Sequence, residues 1–192
     1  RTVLTNARTF ETENKKGSGD NDNKNKLFGA GIGLSAGYTF DNKDKIMAHF
    51  NYGNGMGRYL HDTADSGFFF DNDEKKLYRH RVWGALASYC HHWSKTLQSN
   101  IDFGITKIKL HDNILNQEIN DPDDYRAFKF FDHLTTMHVN LIWTPNSALE
   151  IGIEYLRIQK FQAKFRNVGE NGNIPHHKGL TSRLITSVKV LF

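Results

Sequence analysis

The chain has 192 residues, 38% of them hydrophobic, with 16 Gly and only 3 Pro, which suits one β-rich domain and excludes a disordered segment. No run approaches the roughly 18 apolar residues of a spanning helix, so a helical membrane protein is excluded; a membrane β-barrel hides its apolar band by alternation and is not. The formal charge of +4 comes from 25 basic and 21 acidic residues without a basic block, which argues against a nucleic-acid partner, and the single Cys90 can form no intramolecular disulfide.

In chain order, Thr2 to Phe10 reads as a strand whose register is unreadable. From Leu27 to Phe40 the pattern is plain: Phe28, Ala30, Ile32, Leu34, Ala36, Tyr38 and Phe40 share one face, with Gly29, Gly31, Gly33, Ser35, Gly37 and Thr39 opposite. Ile46-Ala48-Phe50-Tyr52 then opposes Met47-His49-Asn51-Gly53, and Trp83-Ala85-Ala87-Tyr89 opposes Gly84-Leu86-Ser88-Cys90. Leu97-Ile101-Phe103-Ile105 opposes Gln98-Asn100-Asp102-Gly104-Thr106, Met137-Val139-Leu141-Trp143 opposes Thr136-His138-Asn140, and Leu149-Ile151-Ile153-Tyr155 opposes Glu150-Gly152-Glu154. The last strand sets Leu184, Val188, Val190 and Phe192 against Arg183, Ser187 and Lys189. Eight such segments, most of them 9–11 residues or more in length, match tilted membrane strands better than the usual soluble strand of about 5–6.

The connections alternate in length. Asp41–Lys45, Ser94–Thr96 and Pro145–Ala148 are short turns rich in Asp, Asn, Lys, Ser and Pro. Long polar loops span 11–26, 55–78, 111–133 and 162–179. An antiparallel up-and-down meander with tight periplasmic turns and long extracellular loops has this rhythm. With Phe192 at the periplasmic side, Phe40, Tyr89 and Trp143 abut periplasmic turns, and Phe28, Tyr52, Trp83 and Tyr155 lie near the opposite rim, as two aromatic girdles. The expected fold class is therefore all-β, an up-and-down transmembrane β-barrel in the bacterial outer membrane, in contact with lipid and lipopolysaccharide. A final strand ending on an aromatic resembles the signal by which the barrel assembly machinery recognises this protein class, and Phe192 would be its terminal residue. A soluble barrel or sandwich would carry the same alternation with its apolar face turned inward.

Several stretches resemble one family. Ala87-Ser88-Tyr89-Cys90-His91-His92-Trp93-Ser94-Lys95-Thr96-Leu97-Gln98-Ser99-Asn100 looks like a strand–turn–strand segment of DcaP-like outer-membrane porins. The stretch from Val139 through Trp143-Thr144-Pro145-Asn146 to Tyr155 resembles their next hairpin, and Gly55-Met56-Gly57-Arg58-Tyr59 resembles a segment upstream. The resemblance covers roughly residues 50–192 and implies a trimeric, sixteen-stranded pore about twice as long, with an N-terminal helical segment and a preference for small anions such as dicarboxylates. On that basis the eight strands are expected to be the C-terminal half of a porin, a passive diffusion channel for small hydrophilic solutes. The alternative is a complete eight-stranded barrel acting as an adhesin or structural envelope protein, whose interior would be filled by side chains.

Pore-lining candidates follow from strand parity: His49, Asn51, Asn100, Asp102, His138, Asn140, Glu150, Glu154, Arg183 and Lys189. Arg58, Arg79 and Arg81 lie in or beside the loop 55–78, and would form the basic side of a constriction if that loop folds into the lumen. The row Gly29, Gly31, Gly33, Gly37 alternates within a strand and precedes no helix, so it is no phosphate loop; it reads as a bare wall against which something packs, an inward-folded loop in a porin. The pairs His91-His92 and His176-His177 are adjacent, and neighbours on a strand face opposite ways, so neither is a chelating pair and no metal or other cofactor is expected. The acidic runs 20–22, 71–74 and 121–124 lack a calcium-loop pattern. No catalytic motif is present, and although His61 with Asp62 and Asp65, or His80, could be recruited at a barrel rim, no spacing favours an enzyme.

Overall fold

The structure is a computed structural model, and it describes residues 2–15, 26–56, 68–71, 76–115, 131–163 and 178–190. Among the described residues ten strands run in chain order: β1 (Thr2–Lys15), β2 (Lys26–Thr39), β3 (Lys45–Asn54), β4 (Phe68–Asp71), β5 (Lys76–Arg79), β6 (Arg81–His92), β7 (Leu97–Lys109), β8 (Phe131–Asn146), β9 (Leu149–Gln162) and β10 (Lys178–Val190). Eight of them form one antiparallel sheet in the order β1-β2-β3-β6-β7-β8-β9-β10, while β4 and β5 make a separate hairpin. The eight-stranded all-β meander expected from the sequence is thus observed. β1 and β10 stand at opposite edges, so the eight strands form an open sheet rather than a closed eight-stranded ring. No helix among the described residues is long and apolar enough to cross a membrane.

The strands reach further into the expected loops than the sequence reading had them, with β8 starting at Phe131 and β10 at Lys178. Residues 11–15, assigned to a loop, continue β1, whose register Thr2↔Thr39 through Lys15↔Lys26 was unreadable because β1 alternates weakly. The loop 55–78 contains the β4–β5 hairpin, and the loop 111–133 begins with a single helical turn, Asp112–Leu115. Both pieces are too short to show a period.

Which face is inside can be read from exposure. Curvature crowds side chains on the concave side of a sheet and spreads them on the convex side. The polar face is the crowded one: Ser35, His49, Asn51, Ser88, Asn100, Asp102, His138, Asn140, Glu150 and Glu154 are all half-buried. On the apolar face Leu34 is 50%, Ile101 48% and Phe103 52% exposed, with Ile32, Phe50, Val139, Leu141 and Ile153 in the same state. The apolar face is therefore convex, as in a barrel in lipid and opposite to a soluble barrel. Of the expected girdle residues, Phe40, Tyr52, Tyr89, Trp143 and Tyr155 are exposed on this face and Trp83 is half-buried on it; Phe192 lies outside the described residues.

The apolar band runs obliquely across the register. Trp83, Ile105, Met137 and Tyr155 are the last outward apolar residues of β6, β7, β8 and β9 before a polar one. Yet Trp83 pairs with Lys107, Ile105 with Thr135, and Met137 with Arg157. The boundary drops one outward position per strand, and a bilayer surface is level, so the strands lean, as barrel strands must.

An arginine at the middle of the outward band tests this assignment. Ile101→Arg should destabilise the protein folded in lipid vesicles by about 2–4 kcal/mol, read from the urea midpoint. A soluble protein with Ile101 already half exposed would tolerate the change.

Candidate functional site

The inner face is divided between two kinds of surface. Its lower and middle part is a set of cross-strand polar pairs. Ser35 Oγ lies 2.6 Å from His49 Nδ1, and the Asn51 amide nitrogen lies 2.7 Å from His49 Nε2. The Ser88 hydroxyl donates to Asp102, and the Asn100 amide donates to the Asn140 side-chain oxygen at 2.7 Å. His138 Nδ1 lies 3.3 Å from Glu154. Glu150 and Lys189 are register partners on β9 and β10, and Arg183 opposes Leu156. All ten parity candidates therefore share the inner face, although Arg183 and Lys189 on the edge strand are exposed.

Between these pairs is a hollow of about 340 Å³ with His49, Asn51, Thr136 and His138 on its polar side and Leu86 and Leu134 on its apolar side, lined also by Gly84 and Gly104. At Gly104 nothing larger fits: a Cβ there would come within 2.5 Å of Thr136 Oγ1. Such a recess offers hydrogen-bonding groups on one side and an apolar surface on the other.

Toward the long-loop end the inner face is apolar. Val82 and Ile108 are fully or almost fully buried, and Met56, Leu110, Phe131, Leu134 and Ala163 join them in one cluster. Gly53, Val82 and Ile108 are register neighbours on β3, β6 and β7. The segment after β3 folds back over this wall. Met56 Cγ sits 2.6 Å from where a Gly53 Cβ would be and 3.1 Å from that of Gly31, and the Phe68 ring of β4 covers Gly55, which holds φ +69°. The glycine wall is thus packed by the start of the loop 55–78, as an inward-folded loop requires.

The two arginines do not line that wall. Arg79 is exposed at the end of β5 and donates to the Phe28 carbonyl at 2.9 Å, fastening the hairpin to β2. Arg81 has the outward parity of Trp83 and shares a rim cleft of about 340 Å³ with Arg79, Tyr78, Asn54 and His111. Between them the chain passes through the buried His80. Arg58 lies outside the described residues, as do the His176-His177 pair and the acidic runs 20–22 and 121–124. Among the described residues no cluster of three or more His, Cys, Asp or Glu could hold a metal.

Sequence reasoning missed Asp44 and named His80 only as a rim residue without seeing its burial. Asp44, almost fully buried in the turn after β2, accepts from the Asn42 amide and the Tyr89 hydroxyl at 2.8 Å each and from the His92 N–H at 2.9 Å, with His91 Nδ1 at 2.8 Å. The His92 backbone bond, opposed by burial and aided by His91, Tyr89 and Asn42, holds its carboxyl well below the usual carboxylate range. His80, in the bend between β5 and β6, accepts at its carbonyl the Gly55 N–H at 2.9 Å, and burial, with His111 adding, pushes its imidazole down to about 4. The only sequence signal for either was its polarity beside a strand end.

A polar inner wall, an outward apolar band and an inward-packed loop are the parts of an outer-membrane barrel wall. The profile of the DcaP outer membrane protein family matches residues 2–168. The chain belongs to that family. Its place is the bacterial outer membrane. No curated protein matches the chain. Among solved structures, the outer membrane channel DcaP of Acinetobacter baumannii is similar in fold, with a TM-score of 0.71 at 14% identity over 98% of this chain. The match covers 47% of that structure's chain, so this chain spans about half its length.

Two outcomes check the packed end. Gly53→Ala should cost about 1–3 kcal/mol in unfolding experiments, because the new Cβ would meet Met56 and the Ala30 carbonyl at 2.6 and 2.7 Å, whereas Gly37→Ala, with 3.5 Å of room, should change little. For His80 the unfolded chain takes up its proton near pH 6.5 and the folded chain only near 4, so stability is full above about 6.5 and falls as pH drops between these values. The loss should reach about 3 kcal/mol in the urea midpoint, with faster Gly55 amide exchange after correction for its intrinsic rate, and His80→Leu should flatten the profile.

Proposed function

We propose that this chain forms wall of an outer-membrane porin, a passive diffusion channel for small hydrophilic solutes. The observation that carries the reading is the two-faced sheet: polar, half-buried groups line the concave side while the apolar residues face out. Membership of the DcaP family and the fold shared with an outer membrane channel support it. The reading assigns no catalytic step, and its solutes meet only hydrogen-bonding and charged side chains. It extends to a homotrimer and to recognition of the final strand, ending in Phe192, by the barrel assembly machinery; family membership is what supports both. A closed eight-stranded adhesin is disfavoured by the separation of β1 from β10 across the sheet.

The proposed solutes are anions, dicarboxylates among them. On the inner face Asp102 accepts from Ser88, Glu154 lies beside His138, and Glu150 and Lys189 are register partners. Against these three carboxylates the same face carries four cations, Lys45, Lys160, Arg183 and Lys189, so the balance of fixed charge at these positions is positive. Fixed charge of one sign along a pore favours the opposite ion.

The protein reconstituted in a planar bilayer under a KCl gradient should give a reversal potential on the chloride side. Lys160→Glu with Arg183→Glu should move it toward potassium. A potential that stays put would remove the anion assignment, and a protein that folds without conducting would remove the channel.

A further inference from the structure

The outward face carries a second charged feature that a solute in the lumen never meets. Beyond the oblique edge of the apolar band at the long-loop end, β7 to β10 present Lys107, Lys109, His133, Arg157 and Lys178 in the outward register. Lys107 and Arg157 are the first polar outward residues after Ile105 and Tyr155. Lys107, His133, Phe161 and Lys178 form one register row across the four strands. At about 4.8 Å per strand, Lys107 and Lys178 stand about 14 Å apart along it.

The row is ordered rather than loose. His133 stacks on Phe161 with ring centres 4.0 Å apart, and the Lys178 ammonium lies over the same ring at 5.3 Å. Asp132, at a bulge in β8, meets His133 Nδ1 at 2.7 Å and Lys107 Nζ at 3.7 Å, and so offsets part of the charge at one point. The Arg157 guanidinium donates to the Gln159 side-chain oxygen at 2.8 Å. Lys109, Arg157 and Lys178 have no carboxylate partner among the described residues.

The feature belongs to one end of the sheet. Among the described residues, no Lys or Arg stands in the outward register of a strand at the short-turn end, where Phe40, Tyr89 and Trp143 take the boundary. A cationic belt on only one rim fits a bilayer with anionic headgroups concentrated in one leaflet. In the outer membrane the long loops face outward, and that leaflet is made of phosphorylated glycolipid.

We infer that the outward rim of β7–β10 is a docking surface for the phosphorylated, acylated disaccharide of the outer leaflet, the lipid A part of lipopolysaccharide. Its phosphates engage Lys107, Lys109, Arg157 and Lys178, and its acyl chains lie on the band below, against Ile105, Phe103, Met137 and Tyr155. The site is independent of what passes through the lumen. Its chemistry is charge and apolar contact in series: a phosphate on a cation, and a chain on the adjacent apolar face.

The test uses the folded protein in neutral detergent, titrated with lipid A, with the same lipid lacking both phosphates, and with phosphatidylglycerol, bound lipid being counted by native mass spectrometry. Lipid A should bind at least about tenfold more tightly than either of the others. Lys107→Gln, Lys109→Gln, Arg157→Gln and Lys178→Gln combined should abolish that margin while the protein keeps its heat-modifiable mobility on a gel. Lys107→Arg, Lys109→Arg and Lys178→Arg combined keeps the charge and should bind as the unaltered protein does. Equal binding of lipid A and its dephosphorylated form, phosphatidylglycerol matching lipid A, or loss of the margin in the charge-keeping variant overturns the assignment.

Discussion

A pleated strand sends neighbouring residues to opposite sides, and here the two sides meet different solvents. That constraint organises everything else in the sheet. Hydrocarbon on the convex side forbids an unsatisfied backbone group, so every central strand is paired along its length from β1 to β10. It also forbids charge in the band, which is why Leu34, Phe103, Ile101 and Val139 stand exposed where a soluble protein would have Lys or Glu. The concave side is free to be polar but is crowded, so its groups settle into cross-strand pairs such as Asn100 with Asn140 and His138 with Glu154.

The inner face is not uniform, and its division has a physical logic. At the short-turn end the chain is pinned by a buried carboxylate with four partners; at the long-loop end it is pinned by aliphatic packing of Val82, Ile108 and Leu134 under Met56. The recess lies between these two rigid ends, lined by Gly84 and by Gly104, where a Cβ would displace Thr136. A solute-sized hollow needs stiff surroundings to keep its shape, and both ends supply them by different means.

The central strands were legible because each alternates over many residues, so that one parity choice orders all of its side chains. Parity alone also put His49, Asn51, Asp102 and Glu154 on one face, and the glycine row correctly announced a close approach. Parity could not say which face is concave, since that depends on curvature. It made no reading of Val82, Ile108 and Leu134, which are apolar at inward positions and buried in one cluster with Met56. The β4–β5 hairpin escaped because the Phe68-Phe69-Phe70 run has no alternation. Asp44 escaped because its partners Tyr89, His91 and His92 lie more than 40 residues away in sequence.

The Asp44 tie has a consequence for how the chain can vary. It joins the turn after β2 to the far end of β6, across the whole excursion from Gly55 to His80 that separates β3 from its neighbour β6. With β3 and β6 clamped together at the end remote from that excursion, its length is decoupled from their register. Doubling a flexible connection costs only about 0.6 kcal/mol in closure entropy. The segment beyond Met56 can therefore gain or lose residues without moving a single rung of the ladder beneath it.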